Sequence, residues 1–222
     1  HEDRRAARAL GERLVRDLNE ELSRYVKEKW RVESKLELEF ETLYRRLYLP
    51  AVRHGTAGAR KRYAGLVDRE PEPELVFTGM EVVRRDWTEL AKRVQRAMFA
   101  RLFADQPVDE YLRDLVAAVR AGAHDDELVY RKGLRKGLEA YTAQTPPHVA
   151  AARKMSGKPG WVIEYVMTSD GPEPAAERKH ALDHEHYVQK QVRPVAEPVL
   201  VLLGLTFDRV VGDDRQQELF AI

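Results

Sequence analysis

The 222-residue sequence contains no cysteine, which excludes disulfide staples and thiolate metal sites and is compatible with a reducing cytoplasm. Long apolar runs are also missing: the longest, Val199 to Leu205, is far too short to cross a bilayer, and no signal-peptide pattern opens the chain. No sign of charge predominates, with 38 Lys and Arg against 37 Asp and Glu, so any attraction to nucleic acid must come from where the charges sit. There is no internal repeat or low-complexity tract. What remains is a globular balance, 43% apolar and 34% charged, long enough for one large domain or two small ones. The chain begins at His1 rather than methionine and enters helical periodicity at once, which reads as an excised fragment of a longer protein.

Between Arg4 and Trp30, the residues Ala7, Leu10, Leu14, Leu18, Leu22 and Tyr25 recur at three- and four-residue spacing, which predicts a helix with one buried face. Lys35 to Leu43 then alternates. Leu36, Leu38 and Phe40 are expected on one side of a strand, with Glu37, Glu39 and Glu41 on the other as a solvated edge or a cation-facing row. Two further strands are expected over Lys61–Val67 and Leu75–Phe77, joined by a loop containing Pro71 and Pro73. From Asp86 the pattern turns helical. Trp87, Leu90, Val94, Met98 and Leu102 form one stripe, and Tyr111, Leu115, Ala118 and Val119 form a second. Short strands are expected at Leu128–Tyr130 and Trp161–Met167, a helix start at Pro146 and Pro147, and a last long helix from about Leu182 to Leu203. The composition shift between Glu81 and Asp86 marks a domain boundary. The fold class is α+β, a helix with a small antiparallel sheet followed by a mainly helical part with short strands.

Basic residues gather at Arg60 to Arg62, Arg84 and Arg85, Arg131 and Lys132, and Arg135 and Lys136, a pattern that suits one track along phosphates; a solvated charged face accounts for any single cluster equally well. His180, His184 and His186 with Asp183 have ligand-like spacing, but no fourth ligand is evident, so zinc is rejected. Gly55 to Gly58 lacks the Gly-Lys-Ser/Thr of a phosphate-binding loop. Ser34, Ser156 and Ser169 lack a glycine elbow or a paired histidine.

The stretch Arg60 to Leu66, followed by Phe77 to Trp87, resembles family B DNA polymerases where the palm domain passes into the thumb. The likeness continues through Leu128 to Lys132, Pro146 to Val149, Ile163 to Val166, Glu185 to Tyr187 and Pro194 to Glu197, and is greatest to the bacterial DNA polymerase II branch. The resemblance implies the end of a palm over residues 1–85, a thumb over 86–211 and a tail over 212–222. It implies that Arg60, Lys61 and Tyr63 hold the primer strand, by phosphate contacts and by hydrogen bonding or sugar stacking that carry no base specificity. Arginine stands at 60 where lysine is more usual, which alters donor geometry. Arg84, Arg85, Arg131, Lys132, Arg135 and Lys136 are the further duplex-contacting candidates, with the helix start at Pro146 to Val149. Gly133 and Gly137 stand where related sequences often carry a basic residue and a proline.

The same resemblance makes Glu39, with Glu37 beside it, an accessory residue near the metal site. The aspartates that bridge two Mg²⁺ ions in the family stand in upstream motifs, one ending Asp-Thr-Asp, that this sequence does not contain, and the Asp213–Asp214 pair sits in the tail. The implied function is therefore the primer-template grip of a DNA-directed DNA polymerase in replication or repair, with deoxynucleoside triphosphates and Mg²⁺ used only by the intact enzyme and the fragment alone inactive. The tail residues Gln216, Leu219 and Phe220 resemble the peptide by which bacterial replication proteins bind the sliding clamp. The location implied is the bacterial cytoplasm. The rival reading is a free-standing module that binds DNA or the clamp.

Overall fold

The computed structural model describes residues 2–50, 61–69, 71–142 and 145–212. The chain forms two compact units, His1–Leu47 with Gly65–Val76, and Tyr48–Ala64 with Phe77–Ile222. Helices and small antiparallel sheets are mixed throughout, as the α+β expectation required.

In the first unit, helix α1 spans Glu2–Trp30 as expected, but its inward face is not the expected one. Gly11, Val15, Asn19, Leu22 and Val26 turn inward, while Leu10, Leu14, Leu18 and Tyr25 stay 46–50% exposed. The cause lies in the segment that follows. Residues 35–43 are not a strand. The Asn19 side-chain amide donates to the Leu38 carbonyl at 2.9 Å and its oxygen accepts from the Leu38 N–H at 2.8 Å, which satisfies that peptide as a ladder neighbour would. Phe40 lies on Gly11, where a Cβ would come within 2.4 Å of the ring, and the Arg8 guanidinium sits 5.9 Å from the same ring. The segment is thus fastened to α1 by side chains rather than by a sheet, and the expected alternation is lost: Leu36 and Leu38 are exposed like Glu37, Glu39 and Glu41.

The first sheet uses a strand the alternation did not mark, β1 at Tyr44–Tyr48. The expected strands β2, Tyr63–Val67, and β3, Glu74–Thr78, complete it in the order β1-β2-β3.

The core of the second unit is built on α2, Glu89–Phe103, and α3, Asp109–Arg120. Thr88 caps α2 by accepting the Ala91 N–H, and Asp109 and Glu110 open α3. Leu90, Val94, Met98 and Phe99 of α2 and Leu112, Leu115, Val116 and Val119 of α3 are buried. They are joined there by Val195, Ala196, Val199 and Leu200 of α6, Arg193–Leu202, and by Phe207 and Val210 of α7, Phe207–Val211. The long helix expected over 182–203 is broken into α5, His184–Tyr187, a wide π-turn at Val188–Val192, and α6. Pro194 explains the break, since it carries no N–H for the carbonyl one turn earlier, whereas Pro198 is accommodated within α6. The Lys190 carbonyl, which Pro194 cannot serve, accepts the Gln191 side-chain amide at 2.9 Å. The Gln191 oxygen in turn accepts from the N–H and the hydroxyl of Thr88 at 3.1 and 3.0 Å, tying the cap of α2 to the π-turn.

A second sheet, β4 (Tyr130–Gly133), β5 (Val162–Thr168) and β6 (Gly171–Pro174), is antiparallel in that order and packs against α4, Pro147–Arg153. β4 starts later than the expected Leu128, because a short 3₁₀ turn closes at Glu127. β6 was not among the expected strands, and it carries Pro172 and Pro174. An edge strand tolerates them because the N–H groups they lack would face away from the sheet. Tyr130 stacks on Tyr165 across the ladder at 5.1 Å and on Tyr187 at 5.5 Å, and the Tyr187 hydroxyl accepts the Met167 N–H at 2.7 Å.

Replacing Asn19 by alanine removes two hydrogen bonds, each contributing about 1 kcal/mol. Trypsin cleavage after Lys35 is expected to accelerate in Asn19→Ala while cleavage within α2 and α3 keeps the parent rate; equal rates at Lys35 would refute the bracket.

Candidate nucleic-acid interface

The first motif of the sequence pattern opens β2 and the second precedes α2, and one buried carboxylate joins them. Glu81, 8% exposed and flanked by buried Met80 and Val82, accepts the Arg62 guanidinium at 2.6 Å and the Gln95 side-chain amide at 2.8 Å. Gln95 returns its oxygen to the Val82 N–H at 2.8 Å. Backbone packing tightens the same junction. Gly79 has φ +62 and faces the Lys61 carbonyl, where a Cβ would fall at 2.1 Å, so only glycine fits there. Lys61 itself holds φ +58, an uncommon conformation for a residue with a side chain.

Of the expected primer-strand residues, Lys61 is exposed and Tyr63 is half-buried at the start of β2. Arg60 lies outside the described residues, as do Gln216, Leu219, Phe220, the Asp213–Asp214 pair and the Gly55–Gly58 loop.

The remaining basic candidates divide between two places. Arg84 grips Asp86 through two hydrogen bonds of 3.0 and 2.9 Å, and Lys132 reaches the same carboxylate at 3.5 Å. One anion thereby gathers two cations. The Arg84 hydrogen bond, with the Lys132 charge adding to it, holds the Asp86 carboxyl below its ordinary pKa. His148, on α4, is pushed down by burial and then by the Lys132 charge, which keeps it neutral beside that group. Arg131 leaves β4 on the opposite face, since neighbours on a strand alternate. It pairs at 2.8 Å with Glu164, its partner across the ladder. Arg131 and Arg85 line a groove of about 540 Å³ with Trp87 and Lys92, but Glu89, Asp126, Glu127 and Glu164 line it too. That groove holds four carboxylates against three cations. Further along, Lys136 lies over the Tyr141 ring at 4.8 Å, and the Tyr141 hydroxyl accepts the Arg135 N–H at 3.0 Å.

The carboxylates described here do not fit a catalytic magnesium site. Glu37 and Glu39 are exposed on a segment that is no strand, and neither joins a cluster of three ligating groups among the described residues. Asp170, Glu173 and His180 do cluster, but the Lys154 ammonium lies 3.1 Å from Asp170 and 3.9 Å from Glu173, supplying the positive charge a cation would bring. The histidine set, rejected for want of a fourth ligand, has separate partners for each ring. His180 pairs with Glu173, His184 with Asp125 at 2.7 Å, and His186 with the Tyr130 hydroxyl at 3.0 Å.

Sequence reasoning missed the roles of Arg62, Glu81, Gln95 and Asp86. Glu81 carried a faint signal, as a single acid between Met80 and Val82; the Asp86–Lys132 pairing carried none, because it closes between distant segments.

A sequence profile of DNA polymerase family B matches residues 11–200. The chain is 40% identical to DNA polymerase II of Escherichia coli over 218 residues, which covers 93% of this chain and 28% of that protein. It is 33% identical to DNA polymerase 2 of Aeropyrum pernix, covering 94% of this chain and 25% of the relative. Among solved structures, the family B DNA polymerase from the hyperthermophilic archaeon Pyrobaculum calidifontis superposes with a TM-score of 0.57 at 27% identity, covering 84% of this chain and 25% of that one. The chain belongs to DNA polymerase family B. It spans about a quarter of the length of these relatives.

Buried Glu173 accepts the Lys179 N–H at 2.8 Å, the His180 N–H at 3.2 Å and the His180 ring at 2.5 Å, which pull its pKa from 4.5 down to about 2. Its stabilising contribution is therefore complete above pH 4.5 and disappears as pH falls toward 2. Urea midpoints measured at pH 5 and pH 3 should differ more for the parent than for Glu173→Gln; an identical difference in both would refute this.

Proposed function

We propose that this chain is the part of a DNA-directed DNA polymerase that holds primer-template duplex: the end of the palm over residues 1–85, the thumb over 86–211 and a partner-binding tail over 212–222. The observation that supports it best is the family match over residues 11–200 together with the Arg62–Glu81–Gln95 junction, which sets exposed Lys61 and the Arg84–Lys132 pair on one folded unit. Lys61, Tyr63, Arg84 and Lys132 meet the sugar-phosphate backbone, so binding is indifferent to sequence. Arg60, Arg85, Arg131, Arg135 and Lys136 are secondary contacts; Arg131 and Arg85 work against neighbouring carboxylates.

Nucleotide addition belongs to the whole enzyme. Its Mg²⁺ ions would be held by carboxylates outside this chain and would in turn bind the triphosphate of the incoming deoxynucleotide; Glu39 is at most an accessory group, and the chain alone does not polymerise. The half-exposed leucine stripe of α1 supports this. Leu10, Leu14 and Leu18 form an apolar face that a neighbouring part of a palm covers. The setting is the bacterial cytoplasm, in replication or repair synthesis.

Each phosphate neutralised releases counterions, so duplex affinity falls steeply with salt. Measured at two salt concentrations, the slope of log affinity against log salt should become shallower by about one for each lost phosphate contact, hence by about two in Arg84→Ala/Lys132→Ala. An unchanged slope, or parent affinity indifferent to salt, refutes the grip. For the tail, Leu219→Ala/Phe220→Ala should abolish retention on an immobilised bacterial sliding clamp without altering duplex affinity; retention equal to the parent refutes the clamp peptide.

A further inference from the structure

Outside the basic positions already assigned, one aromatic side chain of the second unit stands unusually free. Trp161, the residue before β5, is 76% exposed and makes no ring contact among the described residues. Its place is fixed nonetheless, because its carbonyl accepts the Leu134 N–H at 2.8 Å, which extends the β4–β5 pairing by one bond. The indole borders a pocket of about 350 Å³ between the 134–139 and 158–161 segments, within the size range of small-molecule sites. Lys136 and Lys158 line that pocket, with Glu139 as its one acid. Nothing lies within 4 Å of where a Gly137 Cβ would sit, which leaves the approach open.

We propose that this pocket binds an unpaired nucleotide of single-stranded DNA. The base stacks on the Trp161 indole, and its flanking phosphates lie against Lys136 and Lys158. Two features converge on that ligand: a flat ring left in water, and two ammonium groups against one carboxylate beside it. A base offers a face to the indole whatever its identity, so the site tolerates any sequence. The inference rests on the reading that this chain engages DNA; it shares Lys136 with the secondary duplex contacts, but centres on Trp161 and Lys158, which the duplex grip does not use, and takes a different form of DNA.

The test is fluorescence anisotropy on the 222-residue chain with a short labelled oligo-dT strand, an abasic strand of equal length and a blunt duplex. Trp161→Ala is expected to weaken oligo-dT binding about tenfold, as loss of one stacked base does. Trp161→Phe should retain most of the affinity and thereby show that the fold is intact. Duplex affinity and abasic-strand affinity are expected to be the same in all three proteins. If Trp161→Ala binds oligo-dT as tightly as the parent while the parent holds duplex, this inference alone is overturned. If Trp161→Ala loses oligo-dT, abasic strand and duplex alike, stacking is overturned. If the parent holds neither form of DNA, the duplex grip falls with it.

Discussion

The buried carboxylate of Glu81 is the constraint on which the second unit's charged surface depends. It takes one bond from Arg62 at the start of β2 and one from Gln95 in the middle of α2, and Gln95 passes its own oxygen to the Val82 N–H. An unpaired carboxylate at 8% exposure is costly, so the arrangement persists only with all its members in place. Arg62 remains 40% exposed, which makes the Coulombic part of its pairing modest; the value of the network is in position rather than in raw stability. It fixes the segment bearing Lys61 and Tyr63 relative to the one bearing Arg84 and Asp86, and the fit of Gly79 under the Lys61 carbonyl removes the remaining slack.

A nearly neutral chain can present cationic places only by arrangement, and here each arrangement is partly offset. Arg131 faces Glu164, Arg93 faces Glu127, and Arg84 with Lys132 shares Asp86. The last differs in sign, because two cations meet one anion and a net positive charge is left over. The groove beneath Arg85 and Arg131 has the opposite balance. Proximity in sequence therefore misleads: Arg131 and Lys132 are consecutive, yet the pleat of β4 sends one to a neutralised face and the other to a cationic one.

Much of the fold was legible because local chemistry and long-range packing agree. The stripe from Trp87 to Leu102 marks α2, the stripe from Tyr111 to Val119 marks α3, and the loop of Pro71 and Pro73 between two apolar segments marks β2 and β3. The failures each come from a bond between distant residues. Asn19 brackets Leu38 and takes residues 35–43 out of any sheet, which no property of those residues encodes. The leucine repeat of α1 is real, but which face is covered depends on what lies beside the helix. The apolar run around Pro194 reads as one continuous helix and masks the π-turn that this proline imposes. For the site, the motifs pointed to Lys61, Tyr63 and Arg84 through resemblance to a family that the chain proves to belong to, whereas Glu81 and Asp86, which hold those residues in place, emerge only from the coordinates.

Asp86 has a consequence for kinetics. A carboxylate that already gathers two cations acts as a placeholder, so in the proposed duplex grip an incoming phosphate would exchange with it rather than capture two freely moving side chains. The ordering entropy of Arg84 and Lys132 is spent before the ligand arrives, and the carboxylate waits nearby to reclaim them. Exchange of this kind would lower affinity and quicken release together, so that under the proposed grip contacts would pass from one phosphate to the next without the protein letting go.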